Sequence, residues 1–201
     1  EGTALNEAVA IARRARTGGQ SISLFIPLSA ATLRDSAAME QVLATLDANR
    51  VIATNLVFTV PEVDFQMLLQ KTRPALQAIQ RRGAGFSLSY ATSLRLNFTE
   101  LSEIGVRSIR VNASRLIASP EVYTDFHLSD IASYVGRFDM TLLATGVTDE
   151  RQIVELLDNE IMLVQGNHIA PAGPVRQDLL LEPARTVVPQ PALPPRRRAE
   201  V

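Results

Sequence analysis

The residues best placed for chemistry follow six short apolar segments of the chain. Metal-assisted hydrolysis of phosphate esters commonly uses several carboxylates, which hold the ions that generate hydroxide and neutralise developing charge. None of the residues at these segment ends is acidic, so the sequence predicts no divalent-metal site and no catalytic residue there. The residues are Pro27, Thr59, Ser89 with Tyr90, Arg110 with Asn112, Thr145 and Gln165.

Other catalytic patterns are missing from the sequence. It contains no G-x-S-x-G turn, no H-x-x-x-H pair and no P-loop. His127 precedes a helical pattern and is expected to be a surface or cap residue, and His168 follows Gln165 and Gly166 as a plain loop residue. No cofactor is predicted.

Gly146 and Gly166 have two interpretations. Without side chains, they would let backbone N–H groups approach a phosphate beside the positive end of the helix that follows. Alternatively, both are tight turns that need glycine geometry. Both readings remain open from the sequence.

A βαβ unit over residues 140–171 positions these glycines. Residues 140–144 and 161–164 read as buried strands, and Thr148 is expected to cap a helix whose apolar stripe is Ile153, Leu156 and Leu157. A parallel crossover places both strand ends on one face of a sheet, where ligands bind in α/β folds.

The rest of the chain repeats this alternation. Helical patterns include a first one marked by Leu5 to Ala15 and a long one over residues 65–81 that Pro74 should kink or restart. Long connections without hairpin turns favour a parallel sheet, and a doubly wound sheet or a (βα) barrel both fit. The six predicted strands are residues 21–28, 55–60, 85–89, 107–111, 140–144 and 161–164.

Composition limits the partners. With 201 residues, 46% of them hydrophobic, the chain can form one sizeable core. A net charge of -1 predicts no nucleic-acid partner, and the absence of cysteine suits a cytoplasmic protein. No apolar run approaches a membrane span and the start is not a signal peptide, so any membrane tether would lie outside this chain.

The last twenty residues differ in composition. Four prolines stand between Pro189 and Pro195, and three arginines follow. We therefore expect a domain over residues 1–181 and a disordered or extended tail over residues 182–201; the alternative is a docking motif in the tail.

Several segments together resemble the EAL domain, the cyclic-di-GMP phosphodiesterase family with a (βα) barrel. The likeness runs over residues 5–171. The family's A-E-G-V-E-T strand end is similar to residues 144–149, and its Q-G matches Gln165 and Gly166. The remaining motifs V-N-L-S, E-I-T-E, D-D-F-G-T-G and L-K-I-D fall on residues 26–29, 59–62, 89–94 and 109–112.

The resemblance also implies which functional positions have changed. The family's metal ligands are matched by Pro27, Thr59, Ser89 and Tyr90, its catalytic lysine by Arg110 and its base by Thr145. Glu62, which would brace the substrate loop, and Gln165 are retained. The E-A-L strand is absent from this chain, so we expect a TIM-like (βα) barrel of EAL type whose first strands are missing.

The resemblance, with these positions changed, implies a catalytically inactive EAL-type receptor or scaffold, similar to the flagellar-positioning TipF type, in bacterial motility or polarity. Expected partners are cyclic-di-GMP, proteins of a signalling or flagellar assembly, and a second copy in a homodimer. The alternatives are an interaction domain that binds no nucleotide and an active phosphodiesterase. The expected ligand-binding residues are Gln165, Gly146, Gly166, Arg110, Asn112, Ser89 and Glu62.

Overall fold

Six parallel strands form the centre of the computed structural model, which describes residues 2–175. They lie in chain order, and each pairs in parallel with the next, so the sheet forms a half-barrel whose edges are the first and last strands. The predicted number, order and direction of the strands are confirmed. The strands are β1 (Leu24–Pro27), β2 (Leu56–Pro61), β3 (Gly85–Ser89), β4 (Val106–Asn112), β5 (Thr141–Thr145) and β6 (Leu163–Gln165).

Helices fill the connections between the strands. The first helix buries Leu5, Ala8, Val9, Ala12 and Ala15, which is the stripe that the sequence predicts. The helices are α1 (Gly2–Thr17), α2 (Ala30–Arg34), α3 (Ser36–Asp47), α4 (Arg50–Ala53), α5 (Glu62–Arg81), α6 (Phe98–Ile104), α7 (Ala113–Ala118), α8 (Pro120–Tyr123), α9 (Leu128–Gly136) and α10 (Glu150–Asp158).

Alternation along the strands divides the sheet into two faces. Phe58 of β2 and Phe86 of β3 point towards the helices, where Phe65 of α5 packs on Phe86 with ring centroids 6.1 Å apart. Each of these three rings is at most 1% exposed. Burying a phenylalanine contributes about 1.5–3 kcal/mol, so this cluster fixes α5 against the sheet. The opposite face of the sheet carries the polar residues that lie at the strand ends.

Two helix predictions differ in part from the structure. The helix α5 continues through Pro74 and does not restart there, because its buried stripe, including Leu69 and Leu76, packs on both sides of the proline. The alternative prediction, a kink at Pro74, stays a prediction. Asp149, rather than Thr148, caps α10 by accepting a hydrogen bond from the Gln152 N–H at 3.0 Å. The Thr148 N–H in turn donates to the Gln152 side chain at 2.9 Å.

The predicted sixth strand and the predicted apolar stripe of α10 also differ from the structure in their limits. Ile161 lies before β6, since its N–H donates to the Leu156 carbonyl and thereby ties it to α10. Leu157 is 42% exposed, so only Leu156 of the predicted stripe is fully buried while Ile153 packs partly on the core. The proposed tail, residues 182–201, and the boundary at residue 181 lie outside the described residues.

The short strand β6 depends on a close backbone contact. The Val147 N–H donates to the Gln165 carbonyl at 3.0 Å. A Cβ at Gly166 would lie 2.1 Å from the Val147 carbonyl oxygen and 2.5 Å from its nitrogen. Glycine is therefore needed at residue 166 for β6 to reach this position.

Gly166→Ala should destabilise the protein, because backbone atoms cannot move aside as a flexible side chain can. Overpacking of this kind costs about 1–3 kcal/mol, which corresponds to a fall in Tm of about 2–12 °C for a chain of this size. Gly136→Ala is the matched control, since nothing lies within 4 Å of a Cβ there. Thermal unfolding followed by circular dichroism would contradict the expectation if both variants kept the wild-type Tm.

Candidate functional site

A cavity of about 600 Å³ lies at the carboxyl ends of the six strands. Parallel pairing brings these ends to the same edge of the sheet, so residues far apart in sequence meet there. Five of the seven predicted ligand-binding residues line it, namely Ser89, Arg110, Gly146, Gln165 and Gly166. The other lining residues are Pro27, Leu28, Ser29, Thr59, Pro61, Tyr90, Thr145, Val147, Thr148 and Asn167.

Glu62 and Asn112 lie outside this lining. Glu62 is the first residue of α5 and is 8% exposed. Burial raises its pKa, and a hydrogen bond with Gln66 acts in the opposite direction. The Asn112 side chain caps α7 by accepting a hydrogen bond from the Arg115 N–H at 2.9 Å. Their predicted part in ligand binding stays a prediction, since neither residue lines this cavity.

Arg110 supplies the only charge among the residues that line the cavity. Its guanidinium carbon lies 4.5 Å from the centre of the Phe25 ring on β1, three strands away across the inner face. Its Nε atom is buried and has no hydrogen-bond partner within the described part of the chain. Burial lowers the pKa of Arg110, and Tyr90 acts in the opposite direction. Guanidinium groups remain protonated in proteins, so the lining of the cavity carries one positive charge.

The other polar groups of the lining are neutral. The Thr145 hydroxyl donates to the Val111 carbonyl at 3.0 Å, whereas the Thr59 hydroxyl oxygen is buried without a protein partner among residues 2–175. Nowhere in these residues do three His, Asp or Glu side chains cluster as a metal site would require. The cavity can therefore donate hydrogen bonds and attract an anion, but it offers a hard cation no carboxylate.

Glycine is needed at two positions of the cavity for different structural reasons. Gly146 has a φ of 74°, which a residue with a Cβ rarely adopts. Gly166 is required by the contact with Val147. The helix α10 begins at Glu150, and its Asp149 cap already accepts a hydrogen bond from an N-terminal N–H group. The expected phosphate site at that helix end thus competes with a carboxylate.

A family model of the EAL domain matches residues 2–172, which is most of the chain. The chain belongs to the EAL domain family. Comparison with curated proteins gives no match. The predicted EAL-type (βα) barrel is confirmed in the six strands that the described residues contain.

Solved structures of EAL domains share this fold. The FimX EAL domain of Xanthomonas citri, in complex with c-diGMP, has a TM-score of 0.63 at 19% identity, covering 86% of this chain and 71% of that one. The EAL domain of Mycobacterium smegmatis DcpA has a TM-score of 0.65 at 20% identity, covering 83% and 76%.

A longer relative shows how much of such proteins this chain spans. The EAL enzyme Bd1971, in a form bound to cAMP and cyclic-di-GMP, has a TM-score of 0.69 at 14% identity. The match covers 89% of this chain and 49% of that one, so the chain spans about half the relative's length. No helix among residues 2–175 has the length and apolar character to cross a membrane.

Sequence reasoning placed the strand ends of this EAL domain well but missed part of the cavity. Asn167 and Thr148 line it and were not predicted as site residues. Both are polar residues within three positions of a predicted strand-end glycine, and that proximity could have identified them. Tyr90 was noted at a strand end, yet its conformation could not be read from the motif.

Glu62→Gln should raise the Tm at neutral pH. Burial raises the pKa of Glu62 above its ordinary value of 4.5, so the folded protein binds this proton more tightly than the unfolded chain does. The carboxylate therefore lowers stability above the raised pKa, and this loss disappears as the pH falls below 4.5.

Thermal unfolding across this pH range checks the expectation. The Tm difference between Glu62→Gln and wild type should shrink towards zero in acid. Glu103→Gln, at an exposed position of α6, is the control and should change little. A pH-independent difference at residue 62 would show that its titration does not affect stability.

Proposed function

We propose that this EAL domain is a cyclic-di-GMP receptor that does not hydrolyse its ligand. The observation that carries the proposal is the charge of the cavity, where Arg110 is the only charged side chain among the lining residues. A phosphodiester anion is attracted to such a site without a metal ion, because arginine donates charge-assisted hydrogen bonds to phosphate oxygens.

Relatives support the choice of ligand. The FimX EAL domain of Xanthomonas citri is described in complex with c-diGMP, and FimX from Pseudomonas aeruginosa is described bound to c-di-GMP. The cavity of this chain lies at the carboxyl ends of the strands and has a volume of about 600 Å³. Drug-sized ligands occupy pockets of roughly 300–1,000 Å³, so the cavity is of the size that holds a nucleotide.

The proposed inactivity follows from the residues at the family's metal positions. Pro27 has no side-chain ligand, and Thr59 and Ser89 offer neutral hydroxyls. Hydroxyls alone do not replace the hydration shell of Mg²⁺. Thr145, at the position of the family's base, donates its hydroxyl to a backbone carbonyl. A threonine hydroxyl is far too weak a base to activate water at neutral pH.

We further propose that the chain is a degenerate member of the TipF type that acts in flagellar positioning. In this role the domain recruits proteins of a cytoplasmic signalling assembly. It acts as a homodimer, and a region outside this chain tethers it to the membrane. The proposed domain comprises residues 1–181, followed by a Pro- and Arg-rich tail over residues 182–201.

Isothermal titration calorimetry with cyclic-di-GMP in the presence of EDTA tests the receptor function. Wild type should bind, and Arg110→Gln should weaken binding roughly 10- to 150-fold, because a hydrogen bond to a charged group contributes about 1.5–3 kcal/mol. Gln165→Ala should also weaken binding through loss of an amide contact. Arg13→Gln removes an equal charge from an exposed position of α1 and should leave affinity unchanged.

Each alternative function has a distinct outcome in this experiment. Binding that requires Mg²⁺ or Mn²⁺, together with a linear dinucleotide product, would establish a phosphodiesterase. Absence of binding by correctly folded wild type would favour an interaction domain that takes no nucleotide.

A further inference from the structure

Tyr90 combines two features that stability alone does not explain. Its φ of 54° lies in the left-handed region, which is unfavourable for a residue of this size. Its side chain is 81% exposed, so burial of the ring returns little of the cost of that backbone, which is about 1–2 kcal/mol. The residue also lines the cavity at the end of β3.

The neighbouring residues hold Tyr90 in this conformation. Ala91 is 3% exposed, and its N–H donates to the Arg110 carbonyl at 3.1 Å. Leu94 is 5% exposed, and its N–H donates to the Tyr123 carbonyl at 2.7 Å. With Ser89 paired in the sheet on the other side, the backbone at Tyr90 is fixed and cannot relax.

A second anchor secures the same loop. The Arg95 side chain makes two-pronged contact with the Asp125 carboxylate, with its Nη2 atom 2.8 Å from one oxygen. It also donates to the carbonyls of Glu121 and Val122 at 3.0 and 3.2 Å. The loop after β3 is thus tied to α8, and the ring of Tyr90 stays at the mouth of the cavity.

Arg110 and Phe25 complete the surroundings of this ring. The guanidinium lies over Phe25 at 4.5 Å, and Tyr90 is near enough to affect the pKa of Arg110. Phe25 is itself 39% exposed. A ligand that enters the cavity meets the Arg110 guanidinium and the ring of Tyr90, which are the kinds of group that bind a phosphate and a flat base.

We infer that Tyr90 is a base-stacking residue, which binds a purine of a nucleotide whose phosphate is held by Arg110. This inference rests on the proposed function and adds the means of base recognition. Stacking uses the π-face that all bases possess, so Tyr90 contributes affinity for a purine dinucleotide while hydrogen bonds elsewhere select the base. The backbone strain at residue 90 is the cost of presenting the ring to the ligand.

Two substitutions distinguish the effect of the aromatic ring from the effect of the backbone strain at residue 90. Tyr90→Asn removes the ring but keeps a residue that tolerates the left-handed region. It should leave the Tm unchanged or raise it, while weakening cyclic-di-GMP binding by roughly 5- to 150-fold, the range that stacking on one aromatic ring supplies. Tyr90→Phe keeps the ring and should bind within about twofold of wild type.

Tyrosine fluorescence gives a second measurement on the full chain. The protein has three tyrosines and no tryptophan, and Tyr123 is 1% exposed. Tyr134 packs against Phe98, Phe126 and Phe138. Stacking should therefore quench the emission of Tyr90 in wild type, after correction for ligand absorbance, and titration of Tyr90→Asn should give no such change.

The outcomes distinguish this inference from the function on which it rests. If Tyr90→Asn binds cyclic-di-GMP as tightly as wild type does, the stacking role is wrong and the receptor function stands. Equal loss of binding in Tyr90→Phe and Tyr90→Asn would assign the effect to the hydroxyl and also overturn stacking. If wild type does not bind, both proposals fall.

Discussion

Parallel pairing of successive strands is the constraint on which this structure depends. Each strand must return to the same starting edge before it pairs, so every crossover carries the chain over the sheet and every carboxyl end arrives at one rim. Pro27 and Gln165, at the ends of β1 and β6, share one cavity for this reason. Hydrophobic residues such as Phe58 and Phe86 pack the sheet against its helices, so this packing does not depend on the side chains at the strand ends.

The charged and neutral polar groups at that rim determine which ligands the site can bind. Arg110 is half-buried and its Nε atom is buried without a partner among the described residues, which is costly in the empty protein, and the Phe25 ring offsets part of that cost. The threonine and serine hydroxyls around it are neutral. The same arrangement that makes metal chemistry unfavourable leaves a positive, partly unsatisfied group facing the cavity, and a bound anion would relieve it.

The sequence predicted the strands because their signals are local, and it failed where tertiary contacts decide. Strand β3 was predicted with its observed bounds, since Phe86 and Leu88 alternate with serines directly after a glycine. Pro74 does not end α5, because Leu69 and Leu76 on either side of it are both buried. Asp149, rather than Thr148, caps α10 through its hydrogen bond with the Gln152 N–H. The left-handed backbone of Tyr90 depends on Ala91 and Leu94 being anchored by distant residues, and no local pattern records that.

Tyr123 has a further mechanical consequence. Its hydroxyl accepts a hydrogen bond from the Asn112 N–H at the end of β4, and its carbonyl accepts one from the Leu94 N–H in the loop after β3. Because one rigid, buried residue joins both loops, displacement of either must carry α8 with it or break one of these bonds. A displacement at the cavity rim would therefore reach α8 as a unit, and this helix is the element through which a change at the strand ends would alter the outer surface of the domain.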